Sequence, residues 1–255
     1  MGILTGRKGL IVGVANDRSL AWGIARSLHG AGAELAFTYQ GDLFKKRVEP
    51  LAASLDSPLV VPCDVSEESD VETAVATAAD KLGGLDMLVH SVAYADKEAL
   101  QGPYMNVQRQ AFLRSMEISV YSLTSLCRHA APHMRDGGSI LTLSYLGAER
   151  AFRNYNVMGV AKAALESSVR YLARDLGERN IRVNVISAGP VRTLSASGVS
   201  QFSSMLKHAA ERAPLGRNIT SSDVGSAALF LLSELSGGIT GEILHVDAGY
   251  STVGA

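Results

Sequence analysis

Lys8-Gly9-Leu10-Ile11-Val12-Gly13-Val14-Ala15-Asn16-Asp17-Arg18-Ser19-Leu20-Ala21-Trp22-Gly23-Ile24-Ala25 joins a short apolar run to a helical pattern through one glycine, and this junction decides the fold. The run 8–12 lacks strict polar alternation, as a strand covered by helices on both faces should. Gly13 closes it and lets the backbone turn without a Cβ clash. Ser19 stands where it can cap a helix starting at Leu20, whose free N–H groups form an anion site suited to a pyrophosphate. Gly23 is placed to let that helix pack closely on the sheet. The spacing departs from Gly-x-Gly-x-x-Gly, so the turn alone leaves a ligand-free βα junction open.

Outward from this junction the same alternation runs to the end of the chain. Strand patterns fall at 8–12, 34–39, 59–62, 85–90, 139–143, 182–186 and 243–246, with helical patterns near 20–31, 43–54, 67–82, 107–133, 155–177, 200–212 and 221–234. Alternating strands and helices predict an α/β fold, a doubly wound parallel sheet of about seven strands with helices on both faces. No repeat or linker divides the chain, so 1–255 reads as a single unit. The long stretches 91–106 and 187–199 follow strands, where open α/β sheets build their ligand sites.

Composition narrows the function classes. Over 255 residues the formal net charge is −1, which gives no global attraction to nucleic acid or to an anionic membrane surface. No apolar run approaches the roughly 18 residues that cross a bilayer, and the short run after Arg7 and Lys8 is not a signal segment. The two cysteines, Cys63 and Cys127, lack metal-ligand spacing and are too few for a disulfide framework, so they read as buried thiols of a cytoplasmic protein. His90, His129, His133, His208 and His245 do not cluster as metal ligands, and no metal is expected. There is no Gly-x-Ser-x-Gly elbow for a hydrolase. His90, ending a strand, reads as a hydrogen-bonded structural histidine.

The chemistry lies in Tyr155 and Lys162. Seven residues at 100° each return a helix to within about 20° of its start, so the phenol and the ammonium share a face two turns apart. A nearby cation favours the phenolate and is expected to make Tyr155 a better proton donor to a developing oxyanion. Tyr145 stands ten residues upstream, after a strand. Gln40 follows the second strand, where dinucleotide folds place a group on the adenosine ribose, and Asp64-Val65 follows the third, where an adenine edge would lie. Taken singly, Gln40 also reads as a solvated loop residue and Asp64 as the cap of a helix near Ser66. Gln40 neither repels a 2′-phosphate as a carboxylate would nor attracts one. Lys45, Lys46 and Arg47 lie further on, at the exposed start of a helix, so NADH is expected rather than NADPH.

The segment Leu141-Thr-Leu-Ser-Tyr-Leu-Gly-Ala-Glu-Arg-Ala-Phe-Arg-Asn-Tyr-Asn-Val-Met-Gly-Val-Ala-Lys162 closely resembles the bacterial enoyl-acyl-carrier-protein reductases, a divergent branch of the short-chain dehydrogenase/reductase superfamily. The resemblance continues through 182–194 and 241–250 and covers essentially the whole chain. The parent superfamily carries a serine and Tyr-x3-Lys. The enoyl reductases have Tyr-x6-Lys and a tyrosine in place of the serine, as Tyr155, Lys162 and Tyr145 do here. The resemblance implies a Rossmann-like fold and NADH-dependent reduction of the double bond of trans-2-enoyl thioesters on acyl carrier protein, in fatty acid synthesis. It implies Tyr155, Lys162 and Tyr145 as catalytic residues. Gly13, Ser19, Leu20, Gln40, Asp64, Val65, Val92, Lys162, Val191, Arg192, Thr193, Leu194 and Ser195 match cofactor positions. Ala95, Tyr145, Val199, Phe202 and Met205 match the substrate side, with a substrate loop and helix at about 191–212. Ala93 stands where some relatives carry glycine. The helix lining the pocket is poorer in basic residues than in many relatives, with Ser200, Ser203 and Ser204 preceding Lys207. A cytoplasmic homotetramer is implied as well.

Two other readings remain. One is a carbonyl-reducing enzyme of the parent superfamily, of 3-oxoacyl type, against which stands Met158 at the position where its tyrosine would lie. The other is a non-catalytic dinucleotide-binding sensor.

Overall fold

The computed structural model describes residues 2–57, 59–193 and 202–253. Seven parallel strands form one sheet: β1 (Lys8–Val12), β2 (Glu34–Tyr39), β3 (Val60–Pro62), β4 (Met87–His90), β5 (Gly138–Ser144), β6 (Ile181–Ala188) and β7 (Ile243–Val246). Their spatial order is β3-β2-β1-β4-β5-β6-β7. The order reverses between β1 and β4, paired from Gly9↔Met87 to Val12↔His90, and in such sheets the crevice for a ligand opens at that reversal.

The helices are α1 (Leu20–Gly30), α2 (Gly41–Ala53), α3 (Glu68–Leu82), α4 (Arg109–Met116), α5 (Ser122–Ala130), α6 (Asn156–Gly177), α7 (Phe202–Arg212) and α8 (Ser221–Leu232). Successive residues of a strand face opposite sides. Leu10 and Val12 therefore join one apolar layer with Val71 and Val75 of α3, Leu123 and Leu126 of α5, and Leu165 and Val169 of α6. Ile11, between them, joins the other layer with Ile24 and Leu28 of α1, Val48 of α2 and Val224 and Leu231 of α8. Both faces are covered, which accounts for the unbroken apolar character of the strand sequences. Cys63 and Cys127 are buried within the first layer, and burial pushes both thiols up to about 12. Among the described residues no helix is long and apolar enough to cross a membrane.

Three local expectations are corrected. Ser19 is the residue before α1, but its hydroxyl donates to Asn16 O at 2.7 Å and does not cap the helix. Gly23 faces α8, not the sheet: a Cβ there would stand 2.5 Å from Ser221 O. The expected single helix over 107–133 is interrupted by a π-helical turn, Glu117–Tyr121, between α4 and α5, and ends in a 3-10 turn at Ala131–His133. The π turn gives Ser119 both sides of a clamp on the loop after β4. Its hydroxyl accepts from Tyr94 N at 2.9 Å and donates to Tyr94 O at 3.1 Å. Single π turns inside helices commonly mark functional segments, and Tyr94 lines the cleft described below.

The α1–α8 seam makes a direct test. Gly23→Ala gains about 1 kcal/mol of helix propensity, but overpacking against the backbone of Ser221 costs about 1–3 kcal/mol. The expected outcome in a thermal unfolding experiment is a lower Tm; an unchanged or higher Tm would mean that the seam has room for the methyl group.

Candidate active site

The carboxyl ends of β1, β4, β5 and β6 surround a cleft of about 490 Å³. Gly13, Ser19 and Leu20 line it from the β1–α1 turn, Val92, Ala93, Tyr94 and Ala95 from the loop after β4, and Tyr145 from the end of β5. Tyr155, Met158 and Lys162 enter from α6 and the residue before it, Gly189, Pro190, Val191 and Thr193 from the loop after β6, and Met205 from α7. At the β1 end the residue types suit a dinucleotide. Gly13 has φ +107°, and a Cβ there would sit 2.2 Å from Ser91 O, so the ends of β1 and β4 approach as only glycine allows. Because the Ser19 hydroxyl is turned to Asn16 O, the first N–H groups of α1 keep their donors for an anion.

Tyr155 immediately precedes α6, and its ring meets that of Tyr145 edge to face, with centroids 5.0 Å apart. Tyr145 also packs on Phe152, at 5.2 Å, and its hydroxyl donates to Met205 Sδ at 3.5 Å. Gly147, in a 3-10 turn after β5, forms the floor under Tyr155: a Cβ at 147 would stand 2.4 Å from Tyr155 Cδ1. Lys162 is only 6% exposed and donates from Nζ to Leu143 O at 2.7 Å.

The charge balance differs from the expectation for Tyr155. Burial raises the phenol well above its ordinary value, and the fields of Tyr145 and Glu166 act in the same direction, so the neutral phenol is favoured, not the phenolate. Tyr145 is raised as well, first by burial and then by Tyr250. Burial lowers Lys162 to about 8, against a smaller opposing pull from Glu166. His90 is fully buried between Thr142 Oγ1, 2.8 Å from Nδ1, and Ser122 Oγ, 2.9 Å from Nε2. Burial, reinforced by Lys162, holds it down to about 3, and it is a neutral structural group. Among the described residues no group of three or more His, Cys, Asp or Glu could hold a metal ion.

Other predicted positions lie away from the cleft wall. Gln40 and Asp64 meet each other beyond β2 and β3, with Gln40 Nε2 donating to Asp64 Oδ2 at 2.7 Å. Asp64 does not cap α3; Glu67 occupies that position, and Asp64 instead accepts from Ser66 N at 3.0 Å and Ser66 Oγ at 2.6 Å. Burial pushes its carboxyl up, but the bonds from Ser66 and Gln40 prevail and hold it below its usual range. Val65 packs against the α3–α5–α6 layer, and Arg192 is exposed. Lys45 lies over the Tyr39 ring and Arg47 over the Phe44 ring, each 5.8 Å from the centroid. Leu194, Ser195, Val199 and the side chain of Phe202 lie outside the described residues.

Sequence reading passed over Ser144 and Glu166. Ser144 lines the cleft and donates its hydroxyl to Glu166 Oε1, and Glu166 is one helical turn beyond Lys162. The signal was available in the i, i+4 spacing of Lys162 and Glu166, which places them on one face. Tyr94, Lys97 and Leu100 also line the cleft, but from 3-10 and irregular backbone that carries no periodic pattern.

The lowered value of Lys162 has a thermodynamic consequence in the protein without ligand. Between pH 8 and 10 the unfolded chain carries a proton on this lysine that the folded chain has shed, so its contribution to stability rises with pH, by up to about 1.4 kcal/mol per pH unit. Urea unfolding of the wild type and of Lys162→Met across this range should show the difference between them changing in favour of the wild type as pH increases. A constant difference would place the titration of Lys162 at its ordinary value.

The family model for enoyl-(acyl carrier protein) reductase matches residues 13–251. The chain is 54% identical over 253 residues to the NADH-dependent enoyl-[acyl-carrier-protein] reductase 1 of Rhizobium meliloti, covering 99% of this chain and 93% of that protein. The crystal structure of the Bacillus cereus enoyl-acyl carrier protein reductase, with NADP+ and an indole naphthyridinone, superposes with a TM-score of 0.98 at 50% identity over the whole of both chains. The Anaplasma phagocytophilum enzyme, solved with NAD, gives a TM-score of 0.95 at 54% identity, covering 100% of this chain and 95% of that one. A match of this length, on a sheet whose reversal opens onto paired tyrosines and a buried lysine, means that the chain belongs to the enoyl-(acyl carrier protein) reductase family.

Proposed function

We propose that the protein reduces the carbon-carbon double bond of trans-2-enoyl thioesters carried on acyl carrier protein, using NADH, in fatty acid biosynthesis. The observation that carries this reading is the convergence of Tyr145, Tyr155 and Lys162 on one cleft whose far end is the Gly13–Ser19 turn. Relatives named as NADH-dependent reductases support the choice of cofactor.

Gly13, Ser19 and Leu20 would hold the phosphates of the cofactor, and Gln40, Asp64 and Val65 its adenosine. Val92, Lys162 and the segment 191–195 would hold the nicotinamide and its ribose. When bound, the reduced nicotinamide supplies a hydride to the β-carbon of the enoyl group. Tyr155 donates its O–H to the thioester oxygen as that oxygen gains enolate charge, and a proton delivered to the α-carbon, by Tyr155 or by a relayed water, completes the reduction. Its raised pKa keeps the proton in place at neutral pH, and in a water-poor cleft a fixed donor is worth far more than in solution. Lys162 has one N–H committed to Leu143 O, and its other N–H groups would be the donors to the ribose. Tyr145 fixes the Tyr155 ring by its edge-to-face contact, and with Ala95, Val199, Phe202 and Met205 it would line the acyl side, as the family resemblance implies. The reading includes a single unit over 1–255 and a cytoplasmic homotetramer, as the family resemblance implies.

The test is the loss of NADH absorbance with crotonyl-CoA or a longer enoyl thioester, run beside a 3-oxoacyl thioester and repeated with NADPH. Oxidation with the enoyl substrate, and faster with NADH, is expected. Oxidation with the 3-oxoacyl substrate alone would make this a carbonyl reductase, and NADH binding without oxidation of any substrate would make it a sensor. Tyr155→Phe should lower turnover by ~10²-fold or more. Unchanged turnover would remove its hydroxyl from the reaction.

A further inference from the structure

Beneath the cleft lies a buried carboxyl that the reaction scheme above does not use. Glu166 is 5% exposed, within α6, one turn from Lys162 on the same face. Ser144, the last residue of β5, donates its hydroxyl to Glu166 Oε1 and also lines the cleft, so the carboxyl is tied to the strand end that presents Tyr145. Ser144 pairs in register with Ser187 of β6, and Ser187 with His245 of β7, so a polar row crosses the sheet under α6. The row ends at the surface, where His245 Nε2 lies 2.9 Å from Glu149 Oε1. An apolar residue at 166 would pack there without the cost of burying a charge, so a carboxyl in this place calls for a partner.

We propose that Glu166 is a positioning residue for the reduction, a fixed negative charge that keeps the Lys162 ammonium charged and oriented in the cleft. The inference rests on the role given to Lys162 above. Groups of both signs surround it: Lys162 and Arg170 on its own helix, Tyr155 before that helix, Glu149 after β5 and His245 on β7. Burial raises the Glu166 carboxyl, with Glu149 adding to the rise, while the bond from Ser144 and the fields of His245 and Arg170 oppose it. Its charge is therefore lost on acidification earlier than that of an ordinary glutamate. Lys162, held down to about 8 by burial, feels Glu166 as the opposing upward pull. Glu166 thus widens, at the alkaline end, the pH range in which the ammonium is present.

Glu166→Gln tests this, because the amide oxygen still accepts from Ser144 while the charge is gone. In protein without cofactor, the titration of the Lys162 ε-methylene, followed by carbon-13 NMR with Lys162→Met to assign it, should move to lower pH by about half a unit or more. The alkaline limb of kcat/KM for the enoyl thioester should move the same way. Glu166→Asp, which keeps the charge, should stay closer to the wild type in both measurements. A Lys162 midpoint unmoved by Gln, or moved equally by Gln and Asp, overturns the inference. If the Gln variant fails to fold, Ser144→Ala, which frees the carboxyl from its tether, must alter the Lys162 titration, and an unaltered one overturns it. Failure of the underlying reading is separate: it would appear as full enoyl reduction by Lys162→Met, whatever Glu166 does.

Discussion

The site depends on the burial of one ammonium group. Lys162 enters the protein interior from the first turns of α6 and finds a single carbonyl, Leu143 O, at 2.7 Å near the end of β5. That bond ties the helix to the strand end and fixes where the cleft's cation stands. It also follows from the topology, because only at the carboxyl ends of the strands do carbonyl groups project past the sheet towards the start of a crossover helix. Desolvation drives four ionisable groups here towards neutrality: the phenols of Tyr145 and Tyr155 upwards, Lys162 and His90 downwards. The outcome is asymmetric around neutral pH. A lysine brought down to about 8 still carries its charge there, while a raised phenol is wholly protonated, so one environment yields a cation and a neutral donor side by side.

This alters the meaning of the tyrosine and lysine pair. Spacing alone suggests an ammonium that acidifies a phenol. The folded chain holds a phenol that keeps its proton, and a donor that keeps its proton suits a group whose task is to hydrogen-bond a charge appearing on another molecule. In the proposed scheme Lys162 then matters for the ribose it would hold, and less for what it does to Tyr155.

The fold was legible because parallel strands covered on both sides leave a strong trace: β1, β2 and β7 have the bounds that their apolar runs predict, and the other strands differ by a few residues at their ends. What failed was local and had local causes. The polar spacing of 107–133 does not distinguish an α-helix from one carrying a π turn, and the clamp that Ser119 makes from that turn on Tyr94 is a contact across 25 positions. Gly23 was assigned to the wrong neighbour because a helix on a doubly wound sheet touches both the sheet and the next helix, and spacing does not say which surface needs the small residue. Ser19 and Asp64 are residue types that cap helices, yet both spend their side chains on nearby backbone or hydroxyl groups, the competition that makes such residues frequent in turns as well as caps. At the site, the residues on periodic elements were accessible from sequence, whereas Gln40 and Asp64 were placed by strand order and meet each other, not the cleft wall.

The aromatic arrangement explains why a longer spacing between tyrosine and lysine is workable. Tyr155 is not inside α6 but directly before it, so the helix does not dictate the direction of its ring. That direction is set by neighbours: the Tyr145 ring on one side, and Gly147 below, where even a methyl group would collide with the ring. Gly159 completes the arrangement, since a Cβ there would stand 2.7 Å from Gly147 O and lift the turn that carries the floor. Two glycines and one aromatic edge thus do for Tyr155 what helix geometry does for Lys162. Since a displacement of about 1 Å in a reacting group can cost two orders of magnitude in rate, the packing around Tyr155 is as much a part of the site as the hydroxyl itself.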